Sequence, residues 1–167
     1  IKDYAEVSDG TIDAWNKMMT MANNGLETTE KYMAIQGKNA DGTPNYAIES
    51  MVDVENLIDY MLINFYGGNS DWDNHNWSAM RSRVTPDKGF RFLCWDGEMM
   101  FTSLNTNVLS ENNENCPSRV YQQLLKNKGC GSHNISCEDV FCPFASGPGD
   151  CPFISEKTGK VPTNESY

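Results

Sequence analysis

Positive charge is scarce in this chain. Lys and Arg total 13 against 23 Asp and Glu, a formal net charge of −10 over 167 residues. That balance excludes the basic groove that grips a nucleic-acid backbone, so no nucleic-acid partner is expected. Long apolar runs are missing as well. No window approaches the roughly 18 consecutive apolar residues of a membrane helix, so no membrane span is expected. The N-terminus "IKDYAEVSDG" has neither an initiator Met nor an apolar leader, as in a chain entered part-way. Cysteine is sparse early on, with Cys94 alone in the apolar run "FRFLCW", whereas Cys116, Cys130, Cys137, Cys142 and Cys151 all fall in the last third. No C-x-x-C pair is present and the nearby imidazole is His133, which argues against a zinc site. The Gly- and Pro-rich spacing of "CGSHNISCEDVFCPFASGPGDC" instead suits a small disulfide-stapled tail outside the cytosol. The sequon at Asn134 fits that compartment and carries little weight by itself.

What is present is helical periodicity, then a change of period. Ile12, Trp15, Met18, Met19 and Ala22 recur at helical spacing between Thr11, a candidate cap, and Gly25. A shorter helix is predicted over Glu27–Gln36, closed by Gly37, and "GKNADGTPN" reads as a loop. Val54, Leu57, Ile58, Met61, Leu62 and Phe65 form an apolar stripe on a long helix from about Met51 to Tyr66. Ser50 and Asp53 are spaced as a capping box for it, and Gly67 and Gly68 stop it. Beyond them "NWSAMRSR" and "GFRFLCW", joined by "VTPDKG", alternate as two strands of a β-hairpin. "CPSRVYQQLLKNK" then predicts a last helix with Pro117 in its first turn. The expected fold is α+β and mainly α, with residues 1–128 as the domain and 129–167 as a Cys-, Gly- and Pro-rich tail with little regular structure.

The chemistry gathers around "GGNSDWDNHNW" and "CWDGE". An EF-hand starting at Asp71 would want Gly where Asn76 stands and Glu where Ser82 stands, so a calcium loop fails. Phosphoryl transfer fits better. It needs a carboxylate for the nucleophile's proton, an amide oxygen and a carboxylate for magnesium, and positive groups for the phosphates. In protein kinases the catalytic-loop Asp precedes its metal-binding Asn by five positions. Asp71 precedes Asn76 by five here, and Asp96 follows the second strand of the hairpin, whose two ends are neighbours. No Lys or Arg occurs from Asn39 to Met80, after which Arg81, Arg83 and Lys88 restore positive charge, making Arg81 and Arg83 candidates for the nucleotide phosphates. Asp71, Asp73, Asn74 and Asn76 also suit plain turns built on side-chain to backbone hydrogen bonds. Trp72, Trp77 and Trp95 likewise suit core or lid packing.

"VENLIDYMLINFYGGNSDWDNHNWSAMRSR" followed by "GFRFLCWDGE" resembles the spore-coat CotH-like kinase family. "DAWNKMM" and "SRVYQQLLKN" extend the resemblance over about Thr11 to Lys128. It implies a kinase-like fold, here a central or C-lobe fragment, with one long helix and the hairpin carrying the site. It further implies transfer of phosphate from ATP to Ser or Thr of a protein substrate such as a surface or coat protein. By the same resemblance Asp71 is the catalytic base, Asn76 and Asp96 are the Mg2+ ligands, and Asp73 ranks below Asp71. The expected setting is extracellular, or the cell or spore surface. A non-catalytic surface or adhesion module that keeps the fold is the rival reading. Metal-dependent phosphodiester hydrolysis stands third, since it usually wants more carboxylates and His.

Overall fold

The computed structural model describes residues 1–84 and 88–127. Along them run α1 (Asp13–Asn23), α2 (Thr29–Ala34), α3 (Val54–Gly67), β1 (Trp77–Met80), β2 (Arg91–Cys94) and α4 (Pro117–Leu124). Among the described residues the fold is α+β, with helices around one two-stranded antiparallel sheet.

The first helix buries Trp15, Met18, Met19 and Ala22, the stripe its spacing predicts. Thr11 does not cap it. Ile12 occupies the cap position with helical backbone and no side-chain bond, while the Thr11 hydroxyl donates to Asp13. The second helix is shorter than its periodicity suggested and starts from Thr28, whose hydroxyl accepts from the Lys31 N–H.

In α3 the cap moves by three residues from its expected place. Met51 to Asp53 are drawn into extended pairing with Phe90: Phe90 N–H donates to Met51 O at 2.9 Å, and Asp53 N–H to Phe90 O at 3.0 Å. The helix can therefore begin only after them. Asp53, not Ser50, is the N-cap, accepting from Asn56 N–H with one oxygen and from Arg91 Nε with the other at 3.0 Å. The pairing also explains Gly89, whose φ is +76° and whose absent Cβ would lie 2.3 Å from Val52 N. The buried face of α3 is Leu57, Tyr60, Met61, Asn64 and Gly67. Of the predicted stripe, Leu57 and Met61 are buried, whereas Ile58, Leu62 and Phe65 are half-buried on its flank. Gly68 ends the helix in the left-handed conformation at φ +54°.

Trp77 pairs with Cys94 and Met80 with Arg91, so the hairpin is shorter than its two alternating runs. Its connecting turn falls partly on residues 85–87, outside the described residues. Neither sheet edge is left bare. The backbone of residues 1–3 pairs alongside β1, with Ala79 N–H donating to Ile1 O at 2.8 Å. On β2, the Asn56 side-chain amide accepts from Phe92 N–H and donates to Phe92 O.

The core is aromatic. Trp15 stacks on Trp77 with centroids 4.9 Å apart and meets Phe90 edge-on at 5.4 Å. Tyr60 and Phe65 of α3 both pack edge-on against Trp72, and Phe65 reaches Tyr121 of α4 at 5.3 Å. Trp72 and Trp77 are therefore core anchors, and the short segment between them is strung from two fixed posts. Trp95, by contrast, is 61% exposed.

Pro117 opens α4 at its first position as expected. Cys116, just before it, is a buried free thiol whose pKa burial raises to about 12. Its thiol packs in the core, while the other late cysteines lie outside the described residues. The expected tail of residues 129–167, with its bridges and the Asn134 sequon, lies outside the described residues.

Candidate functional site

The site is built on the segment between Gly68 and Asn76. Where α3 stops, two buried amides take over from the helix backbone. Asn64 donates to Tyr60 O at 2.9 Å, Asn69 donates to the Asn64 side-chain oxygen at 2.9 Å, and Asn69 Oδ1 accepts from Asp71 N–H at 3.3 Å. Asn64 and Asn69 are both fully buried, so this relay ties the backbone of Asp71 to the last turns of α3.

Asp71 leaves its carboxylate partly exposed. One oxygen accepts from Asn76 Nδ2 at 2.9 Å, and the other lies 3.1 Å from His75 Nε2. Asn76 adopts φ +64°, and its N–H donates to Asp3 Oδ1 at 2.8 Å. Because the amide nitrogen faces Asp71, the amide oxygen of Asn76 remains open to a cation. A cavity of about 50 Å³ adjoins Asp71, lined by Ser70, Trp72, Asp73, Asn74, Glu111 and Asn113. It is large enough for a few waters or a small hydroxyl-bearing group.

Asp96 stands just beyond β2 with left-handed backbone at φ +52° and an exposed side chain. Its carboxylate shares a hydrogen bond with Glu98. That bond raises the Glu98 pKa, and the charges of Asp96 and Asp71 add to the effect. Asp71 and Asn76 are thus in direct contact, while Asp96 is bonded to Glu98, which also feels the charge of Asp71. Sequence reasoning did not single out Glu98, although the signal was there: a second carboxylate two residues after Asp96 in "WDGE". It also missed Asn69 and Asn64, whose roles depend on burial.

The remaining candidates are engaged in other contacts. Asp73 is 4% exposed and accepts from Ser118 N–H at 2.9 Å, from the Ser118 hydroxyl at 2.5 Å and from Asn113 Nδ2 at 2.6 Å. Since Cys116 provides no side-chain cap, Asp73 serves as the cap of α4 from 45 residues away. Burial nonetheless raises its pKa, against the lowering effect of those bonds. Arg81 and Arg83 follow the far end of β1 from Asn76, roughly 17 and 24 Å along an extended chain. Arg81 pairs with Glu49 and lies over the Phe90 ring, and Arg83 pairs with Asp9 at 3.0 Å. Neither is brought to Asp71.

Among the described residues no three His, Cys, Asp or Glu side chains are arranged to hold a metal ion. With amide oxygens admitted, the candidate donors that would hold a cation are the Asn76 oxygen and the Asp96 carboxylate, with Glu98 bonded to Asp96. Two crowded carboxylates and an open amide oxygen are hard ligands that fit Mg2+, which keeps several waters and needs few protein donors.

A family model described as CotH kinase protein matches residues 5–128. This chain belongs to the CotH kinase family. The match covers α1 through α4 and every residue of the constellation except Asp3. No curated protein and no solved structure matches this CotH-family chain. Among its described residues no helix is long and apolar enough to cross a membrane.

Proposed function

We propose that this chain carries the catalytic-lobe half of an atypical protein kinase, one that moves the terminal phosphate of ATP to a Ser or Thr hydroxyl of a protein substrate. The observation that carries the reading is the Asn76 to Asp71 hydrogen bond, because it orients both partners at once. Asp71 keeps lone pairs toward solvent and the adjoining cavity, where it can orient a substrate hydroxyl and accept its proton. Asn76 presents its oxygen to a cation shared with Asp96, with Glu98 beside it. Mg2+ held there would supply charge neutralisation at the transferring phosphate. The chain's own contribution is positioning: the Asn64–Asn69 relay fixes the backbone of Asp71, and the hairpin ends fix Asn76 and Asp96. The same family reading suggests a surface or coat protein as substrate and a setting outside the cell, which the cysteine-rich tail supports.

A second reading, a non-catalytic surface module that retains the fold, draws on the engagement of Arg81 and Arg83 with Glu49 and Asp9. That leaves the constellation without either cation. Nucleotide binding and transfer by the full-length protein separate the two. Asp71→Asn is expected to spare the fold and Mg2+-dependent nucleotide binding but to lower transfer by about 10²–10⁴-fold, whereas Asp96→Ala weakens the binding itself. Undiminished transfer by Asp96→Ala protein would sink the kinase reading. Absence of nucleotide binding in the unmodified protein would favour the module.

A further inference from the structure

The segment before the family match reaches directly into the site. Its backbone runs beside β1: Asp3 N–H donates to Trp77 O and Tyr4 N–H to Asn74 O, each at 3.2 Å. It then folds back on itself, Glu6 N–H donating to Lys2 O at 2.7 Å, with Asp3, Tyr4 and Ala5 all at positive φ. The result is a hook over the segment between the two anchoring tryptophans. From it the Asp3 carboxylate accepts from Asn76 N–H at 2.8 Å and from Trp77 N–H at 3.4 Å. The Tyr4 ring stacks on His75 with centroids 5.9 Å apart, and His75 lies against Asp71.

Asn76 is the residue on which this grip matters. At φ +64° it is left-handed, a conformation uncommon outside Gly that Asn enters more readily than most residues and that a bond to its N–H helps to hold. Returned to an extended backbone, the same residue would continue β1 and swing its amide away from Asp71. We propose that Asp3 is a positioning residue for the site: its carboxylate holds Asn76 in the left-handed turn that aims the Asn76 amide at Asp71 and leaves the amide oxygen facing a cation. The inference rests on the phosphate-transfer reading for its consequence, not for its geometry. Asp3 lies outside the residues matched by the family model, which begin at residue 5.

The test uses the full chain, labelled with nitrogen-15, and three variants. Asp3→Ala removes the acceptor; Asp3→Asn keeps an oxygen in place without the charge; Asp3→Glu keeps the charge but displaces the oxygens by one methylene. Two quantities are read: hydrogen exchange at the Asn76 backbone amide together with its side-chain amide signal, and the affinity for Mn2+ from paramagnetic broadening. Asp3→Ala and Asp3→Glu should each speed Asn76 exchange at least tenfold, shift its side-chain signal and weaken Mn2+ binding by about tenfold, the effect usual for a residue that orients a metal ligand. Asp3→Asn should stay within about twofold of the unmodified chain. Equal losses in Asp3→Ala and Asp3→Asn, with Asp3→Glu intact, would assign the effect to charge and overturn the proposal. No change in any variant overturns it too. If Asp3→Ala does not fold, the Asp3→Glu and Asp3→Asn pair decides. If the unmodified chain binds no Mn2+, the phosphate-transfer reading fails, and the exchange arm alone then supports or overturns the positioning role.

Discussion

The stretch from Gly68 to Asn76 and the stretch from Asp96 to Leu104 bring carboxylates to the same place, but they are held in opposite ways. The first is gripped from α3 through Asn69, from α4 through Asp73 and from the N-terminal hook through Asp3. Asn69, Trp72 and Asp73 are 0%, 2% and 4% exposed. The second lies on the surface. Phe101 is 69% exposed and Leu104 wholly so, and the main fastening is at Gly67, whose carbonyl accepts from Phe101 N–H and whose missing side chain makes room for Met100. Buried, multiply bonded backbone opens at a cost close to that of global unfolding, whereas exposed backbone with few contacts opens cheaply. The difference teaches that the Asp71 side of the candidate site is fixed by the fold, while the Asp96 side is held by few contacts.

The comparison is broken most severely by removing Asp73. Asp73→Ala strips α4 of its cap and leaves the buried Ser118 N–H and hydroxyl without their acceptor, while Asn113 keeps Glu111, a loss expected near 3 kcal/mol in chemical denaturation. A loss below about 1 kcal/mol would show that the first stretch is not held from α4. Asp73 also has a pH signature. Its folded pKa is raised, so its contribution is fully present below the ordinary Asp range and declines as pH rises through the raised value. Asp73→Asn protein should lack that decline. Asn69→Ala comes next at about 2 kcal/mol, because it leaves the Asn64 amide oxygen buried and the Asp71 N–H without its acceptor. Hydrogen exchange at Asp71 should accelerate in step, and protection equal to that of the unmodified protein would remove the relay from the account.

Changes on the surface stretch should be small in stability and visible in ligand dependence. Glu98 has a pKa raised by its hydrogen bond to Asp96 and by the charges of Asp96 and Asp71, so its favourable contribution belongs to low pH and fades as pH rises through the raised value. Glu98→Gln should therefore raise the melting temperature slightly at neutral pH without metal, have no such effect below the ordinary Glu range, and blunt the stabilisation by added Mg2+. A variant stabilised by Mg2+ as strongly as the parent would take Glu98 out of the donor set. Leu104→Ser should change stability by less than about 0.5 kcal/mol, as expected for an exposed side chain. A larger loss in denaturation would mean that the second stretch is packed after all, and the contrast would close.

Much of the frame was legible from residue spacing. The α1 stripe, the stop at Gly68, the change of period into a hairpin and Pro117 at the start of α4 all follow from local rules, and local rules act within a few residues. The neighbourhood of Asp71 and Asn76 was legible too, because five residues of a turn between two tryptophans can hardly separate them. The misses share one cause. Ser50 looked like a cap until Met51 to Asp53 paired with Phe90, and Thr11 looked like one although Ile12 takes the position. Arg81 and Arg83 followed a cation-poor stretch in sequence but meet Glu49 and Asp9 in space.

The sequence by itself determined the order of helices and hairpin, that Trp72 and Trp77 bracket a polar turn, and that the chain carries the motif pattern of the CotH kinase family. The family resemblance ranked Asp71 above Asp73, but only the tertiary structure decided what surrounds each carboxylate. Asp71 and Asp73 are the same residue type two positions apart, with nothing local to rank their environments. Packing α4 against the α3 end buries Asp73 beneath Ser118 and leaves Asp71 beside His75 and Asn76. The reason is that a carboxylate's chemistry is set by its solvation and its donors, and here those come from residues 45 positions away in one case and 5 in the other.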